Sequence, residues 1–199
     1  MGSEVNRAGD SRRAFVSAVE AEYRRYKAYG EGALAQLSGE QVNARSSSQA
    51  NSIVTIVWHM SGNFASRFTE FLTTDGEKSW RAREEEFAAR IVSKPECMAK
   101  WQAGWKVVLD TLASLSDADL ETTVSIRRQP LLVRDALLRS LAHASYHVGQ
   151  IVYIAKALSG SDWRYLSIPP GQSDAYNRNP TFDKPAAYVD KIAGESSGN

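Results

Sequence analysis

Apolar residues recur at helical spacing in four long stretches of this chain, and the polar runs between them mark where helices end. From Asp10 to Leu37, the spacing of Phe15, Val19, Tyr23, Tyr26 and Leu34 predicts a first helix, weakened in its second half by Gly30 and Gly32. The polar stretch Ser38 to Ser48, with Gly39 and three consecutive serines, reads as a loop that ends in a helix cap. A second helix is predicted from Asn51 to Leu72. Asn51 or Ser52 can cap it, Ile53, Ile56, Val57, Met60, Phe64, Phe68 and Phe71 form its apolar stripe, and Thr73-Thr74-Asp75-Gly76 stops it.

A charged connection of roughly 20 residues follows, from Asp75 to Lys94, long enough to run the length of a helical bundle. Its segment Arg81-Ala82-Arg83-Glu84-Glu85-Glu86-Phe87 reads as partly helical, solvated and laced with salt bridges. Pro95 suits the first turn of a third helix, which carries Trp101, Trp105, Val108, Leu112 and Leu115. Ser116 to Asp119 breaks that pattern. Thr122, Val124 and Ile126 then alternate with other residues as a short extended segment, closed by Pro130. The fourth helix is predicted from Leu131 to Leu158, with Leu138, Leu141, Val148, Ile151, Ile154 and Leu158 inward and Gly160 ending it. In the tail, two prolines and a glycine within Ser167 to Ser173 forbid regular helix, while Trp163 and Leu166 argue for packing on the body.

The expected fold is therefore all-α. It is a four-helix bundle with a long crossover between helices 2 and 3, a short extended segment before helix 4, and an ordered irregular C-terminal tail. Residues 10–177 form the domain. Residues 1–9 are expected to be a disordered N-terminus or an expression remnant, and residues 178–199 a C-terminal extension whose end, Ala193 to Asn199, is disordered.

Composition narrows the function classes. The net charge of +1 and the scattered basic residues exclude the basic stripe that nucleic acid requires. No apolar run reaches the roughly 18 residues of a membrane span, and the charged N-terminus does not read as a signal peptide. With one cysteine, Cys97, no internal disulfide can form, which fits a cytoplasmic protein. Cys97 reads as an ordinary half-buried thiol, and the Trp101/Trp105 pair as core.

The chain has three histidines, and all lie in apolar stretches: His59 in the second helix, His143 and His147 in the fourth. Residues four apart on a helix differ by about 40° in direction, so His143 and His147 project side by side. An imidazole from a facing helix would complete a three-nitrogen metal site with a coordination position left open, the pattern of catalytic centres. Imidazole suits zinc, nickel, copper or iron. No carboxylate lies one helical turn from any of the three histidines, so a carboxylate ligand would require a loop residue such as Glu85 or Glu86 to fold in. Asn63, four residues after His59, and Gln150, three after His147, border the site; with Tyr146 they are candidates to face substrate or to hold the second imidazole nitrogens.

These residues carry a family resemblance. His59 followed by Gly62-Asn63, then His143-Ala144-Ser145-Tyr146-His147-Val148-Gly149-Gln150, resembles the DinB/YfiT-like superfamily of metalloenzymes, closest to a bacterial branch known as a domain of unknown function. Arg81 to Phe87 and Ser167 to Ser173 are similar to that branch too, so the likeness spans about residues 10–177. It implies the four-helix bundle and a divalent metal, zinc or nickel, on His59, His143 and His147. It also implies a homodimer and, from characterised relatives, S-transferase or isomerase chemistry with a low-molecular-weight thiol on small electrophiles. Arg127-Arg128-Gln129-Pro130 departs from the acidic-ended turn expected there.

Two other classes compete with the thiol-dependent enzyme. One is a hydrolase that uses metal-activated water. The other is a non-catalytic dimeric module in which metal orders the core or senses a ligand. A reachable pocket lined by Ser167 to Ser173 favours the enzyme; a site sealed by Trp and Phe favours the module. In every case the expected partner is a small molecule, with neither nucleic acid nor membrane involved.

Overall fold

A computed structural model describes residues 11–196; the expectation for residues 1–9 falls outside this range. Four long helices run through it: α1 (Ala14–Ala35), α3 (Ile53–Phe68), α5 (Lys94–Ser114) and α6 (Val133–Ser159). Short helices α2 (Gly39–Asn43), α4 (Arg83–Glu86) and α7 (Ser173–Arg178) lie in the connections and tail, and α8 (Pro185–Ser196) ends the described chain. One antiparallel hairpin, β1 (Thr123–Ile126) and β2 (Gln129–Leu132), precedes α6. The described chain is thus mostly helical, with one two-stranded sheet.

α3 packs on α5 and α1 on α6, while α1–α5 and α3–α6 contacts close the core between them. Tyr23, Phe64, Phe68, Trp101 and Trp105 fill it, each at most 2% exposed. Their rings meet mainly edge-on, as between Phe64 and Trp105 with centroids 5.0 Å apart, the offset geometry that aromatic quadrupoles favour.

The helix ends are tied by distant charges. Asp117 accepts from the backbone N–H groups of Phe15 and Val16 at 3.0 Å, so a residue beyond α5 caps α1. Arg13 returns the favour by donating to the carbonyls of Leu112 (2.8 Å) and Leu115 (2.7 Å) at the end of α5. Ser52 and Ser93 cap α3 and α5 through their own side chains.

Four sequence expectations need correction. The loop after α1 contains α2, nucleated by a capping box in which Ser38 and Gln41 satisfy each other's backbone N–H. α3 ends at Phe68, short of Leu72, because Thr69 turns extended and Glu70 takes φ 50°. The extended segment is half of a hairpin: Pro130 stands opposite Ser125 inside β2, which a two-stranded sheet tolerates because both strands are edges. Leu138 is 47% exposed, since the buried register of α6 runs through Leu137, Ala144, Val148, Ile151 and Ala155. Within the stretch read as an extension, α8 packs on α1, burying Tyr188 and Ile192.

The hairpin turn is built against local preference. Arg127 and Arg128 sit at φ 54° and 60°, where Asn-Gly is favoured. Asp75 makes this tolerable. Its carboxylate accepts from the Ser125 hydroxyl (2.6 Å) and from the N–H groups of Glu77 (2.7 Å), Arg128 (2.7 Å) and Arg127 (2.8 Å). The Ser125 hydroxyl above all, with those amides, holds the Asp75 carboxyl well below the usual carboxylate range. We expect Asp75→Ala to cost about 2 kcal/mol, since several bonds to one charged acceptor are lost together. Denaturant titration checks the figure, and amide exchange should show protection lost first at the hairpin.

Candidate metal centre

The three histidines meet at one point. Nε2 of His143 lies 3.3 Å from Nε2 of His59 and 3.2 Å from Nε2 of His147, and one ligand atom from each ring falls within 4.8 Å of the others. His59 is 6% exposed, two turns into α3; His143 and His147 are half-buried on consecutive turns of α6.

The outward nitrogens set the tautomers. Glu86 is an acceptor, so His59 donates Nδ1–H to its Oε2 at 2.9 Å, leaving a lone pair on Nε2. His147 places Nδ1 2.8 Å from Oε1 of Gln150, with the same consequence. His143 Nδ1 is buried without a hydrogen-bond partner. Two lone pairs therefore point toward a third nitrogen at close range, an arrangement that a shared cation relieves. Nitrogens about 2.0–2.1 Å from one tetrahedral ion stand about 3.3–3.4 Å apart. The observed 3.2 and 3.3 Å match for two of the three pairs, and all three ligand atoms lie within 4.8 Å of one another, so the histidine group could hold a metal ion.

Glu86 is the functional residue that sequence reasoning missed in this role. The single turn α4 turns it inward, where it is 7% exposed. Arg81, its side chain 2% exposed, clamps it with Nε to Oε1 at 2.8 Å and Nη2 to Oε2 at 2.9 Å. Burial pushes the Glu86 carboxyl up, but the bonds from His59 and Arg81 outweigh it and hold it below its ordinary value. Gly62 leaves the necessary room, since a Cβ there would fall 2.3 Å from Glu86 Oε1. Phe87 covers the His59 ring at 4.8 Å. The crossover is therefore not simply a solvated face: Arg81 and Glu86 form a buried ion pair behind His59. The available signal was the resemblance of Arg81 to Phe87, because hydropathy marks such a segment as surface.

The remaining candidates separate. Gln150 holds His147, as described. Asn63 is half-buried on the cavity wall beside His59 and makes no hydrogen bond to any of the three rings. Tyr146 is 64% exposed. Its ring meets His147 edge-on at 5.0 Å, and it lines a different groove with Tyr153 and Ile154. Ser167 and Pro169 of the tail line a pocket with Tyr176 and Phe182 that contains none of the histidines. Cys97 is fully buried, and burial pushes its thiol up to about 11, which makes it a poor nucleophile. Trp101 and Trp105 belong to the core.

A cavity of about 210 Å³ opens beside His59 and His143. Burial, then the neighbouring His147 and His59, pushes His143 down to about 4, and burial also lowers His147. An unfolded histidine binds its proton near 6.5. Between pH 6.5 and 4 the unfolded state thus holds more protons than the folded state, and stability falls as pH falls through that window. Urea midpoints of metal-stripped protein should be level above pH 7 and drop toward pH 4.5. His143→Gln should flatten the slope; an unchanged slope would count against the assignment.

A family model matches residues 10–172, and the chain belongs to that family, described as Protein of unknown function (DUF1572). No curated protein and no solved structure matches the chain.

Proposed function

We propose that this family member is a metal-dependent enzyme, with zinc or nickel held by Nε2 of His59, His143 and His147 and at least one coordination position facing the cavity. The observation that carries this reading is the convergence of three Nε2 atoms while Glu86 and Gln150 engage two of the opposite nitrogens. The grouping of the family with DinB/YfiT-like families supports it, as does the reading of α1, α3, α5 and α6 as that superfamily's four-helix bundle. The opening onto a cavity favours an enzyme over a sealed structural site.

When bound, the ion supplies Lewis acidity and favours the deprotonated form of a coordinated thiol or water. The chain's own residues do the rest. Glu86 and Gln150 fix two tautomers, and Arg81 keeps Glu86 ionised and aimed. Asn63 and the cavity wall orient the substrate. No histidine is left over as a general base, which favours S-transfer or isomerisation with a low-molecular-weight thiol on a small electrophile over hydrolysis. The homodimer belongs to the same proposal; light scattering should read twice the chain mass of 22.0 kDa. The single buried thiol supports a cytoplasmic setting.

The test is metal content by mass spectrometry on untagged protein. About one transition-metal ion per chain is expected, as purified or after incubation with zinc or nickel and desalting. No ion under either condition overturns the metalloenzyme reading.

A further inference from the structure

Five arginines line the cavity beside the histidines, Arg67, Arg81, Arg83, Arg127 and Arg139, and among the described residues no Asp or Glu does. The whole chain carries a net charge of only +1, so this is a local concentration. Part of the charge is spent internally. Glu77 takes Arg67 and Arg127 at 3.1 and 2.9 Å, and Glu86 takes Arg81. Among the described residues Arg83 has one acidic partner, Glu84, an 86% exposed side chain that water screens, and its guanidinium lies over the Phe87 ring at 5.1 Å. Arg139 has no acidic or hydrogen-bonding partner among the described residues. The turn that carries Arg127 holds two arginines at positive φ, a conformation that the Asp75 carboxylate has to support.

We infer that the substrate is a compact anion, a carboxylate or phosphate compound whose charged end sits on Arg139 and Arg83 while its other end reaches the histidine centre. Guanidinium forks match both oxyanions bidentately. Phe68, Phe71 and Ile126 supply an apolar wall for the carbon skeleton. At about 210 Å³ the cavity is below the range of roughly 300–1,000 Å³ that takes drug-sized ligands, so it suits a small metabolite. The placement of the reacting end rests on the metal reading above; the anion site does not.

Isothermal titration of succinate, inorganic phosphate and the neutral analogue succinamide tests this. The proteins are untagged wild type, Arg83→Gln, Arg139→Gln and the double variant, with the metal content of each sample measured beforehand. Both side chains are exposed, so the variants should fold, and thermal melts verify it. At least one anion should bind wild type, with succinamide at least tenfold weaker, and the double variant should lose about ten- to a hundredfold in affinity at unchanged metal content. Which anion binds identifies the class. Equal affinity in the double variant, equal binding of succinamide, or no anion binding by wild type overturns the inference and leaves the metal reading intact. Arginine-dependent anion binding by protein that takes up no metal sinks the metal reading and leaves the anion site standing.

Discussion

Alanine at His59 should abolish stoichiometric metal uptake, and alanine at Glu86, a residue that turns no atom to the centre, should lower metal affinity by about 10- to 100-fold. The first outcome follows from counting donors. With His59 gone, two imidazoles on α6 remain, and nothing else from α3 replaces the third. The second follows from geometry. Both Glu86 oxygens are occupied, Oε2 by His59 Nδ1 and Arg81 and Oε1 by Arg81, so its contribution is to orient one ring and raise its basicity. Stability should fall as well, by about 3–5 kcal/mol at most, because the Arg81 guanidinium stays buried with Glu77, at 3.8 Å, as its remaining acidic partner among the described residues. The two effects can be parted. Glu86→Ala combined with Arg81→Met removes the stranded charge and should recover stability without recovering affinity. Chelator competition with zinc reads the affinity, and denaturant midpoints read the stability. Wild-type zinc affinity in Glu86→Ala would show that Glu86 does not position His59.

What could be read from the chain follows from how each feature is encoded. The four long helices are written in periodic apolar residues, so their existence was legible even where Leu72 and Leu138 were misplaced. His143 and His147 were legible because a spacing of four is a geometric statement on any helix. His59 needed the guess that α3 faces α6, which the contacts between those helices supply. Glu86 and Arg81 were illegible as a buried pair. Each charge is compensated by the other and by His59, and sequence shows the charges without the compensation. The hairpin was hidden for a related reason, since Arg127-Arg128 lacks the glycine that usually announces such a turn and the support comes from Asp75, some fifty residues earlier.

The packing of α3 on α5 has a consequence for the centre that no ligand substitution reveals. Gly104 of α5 faces Ser61 of α3, and a Cβ at 104 would lie 2.8 Å from Ser61 Cα and 3.0 Å from its Cβ and Oγ. The nearest obstacle is backbone, so no rotamer change removes the clash and the two helices must part. Ser61 stands two residues from His59, so the displacement is delivered to the ligand, while His143 and His147 on α6 stay where they are. We expect Gly104→Ala to cost about 1–3 kcal/mol of stability, net of the roughly 1 kcal/mol that alanine gains over glycine in a helix. It should also weaken zinc binding without altering any residue that touches the site. Gly149→Ala is the matched control. It too lies two residues from a ligand, His147, but a Cβ there meets nothing within 4 Å. That variant should be neutral or up to about 1 kcal/mol more stable, with unchanged zinc affinity. If the two behave alike in melting and chelator competition, helix spacing does not set the position of His59. If only Gly104→Ala loses metal, the close approach of α3 and α5 is part of the centre.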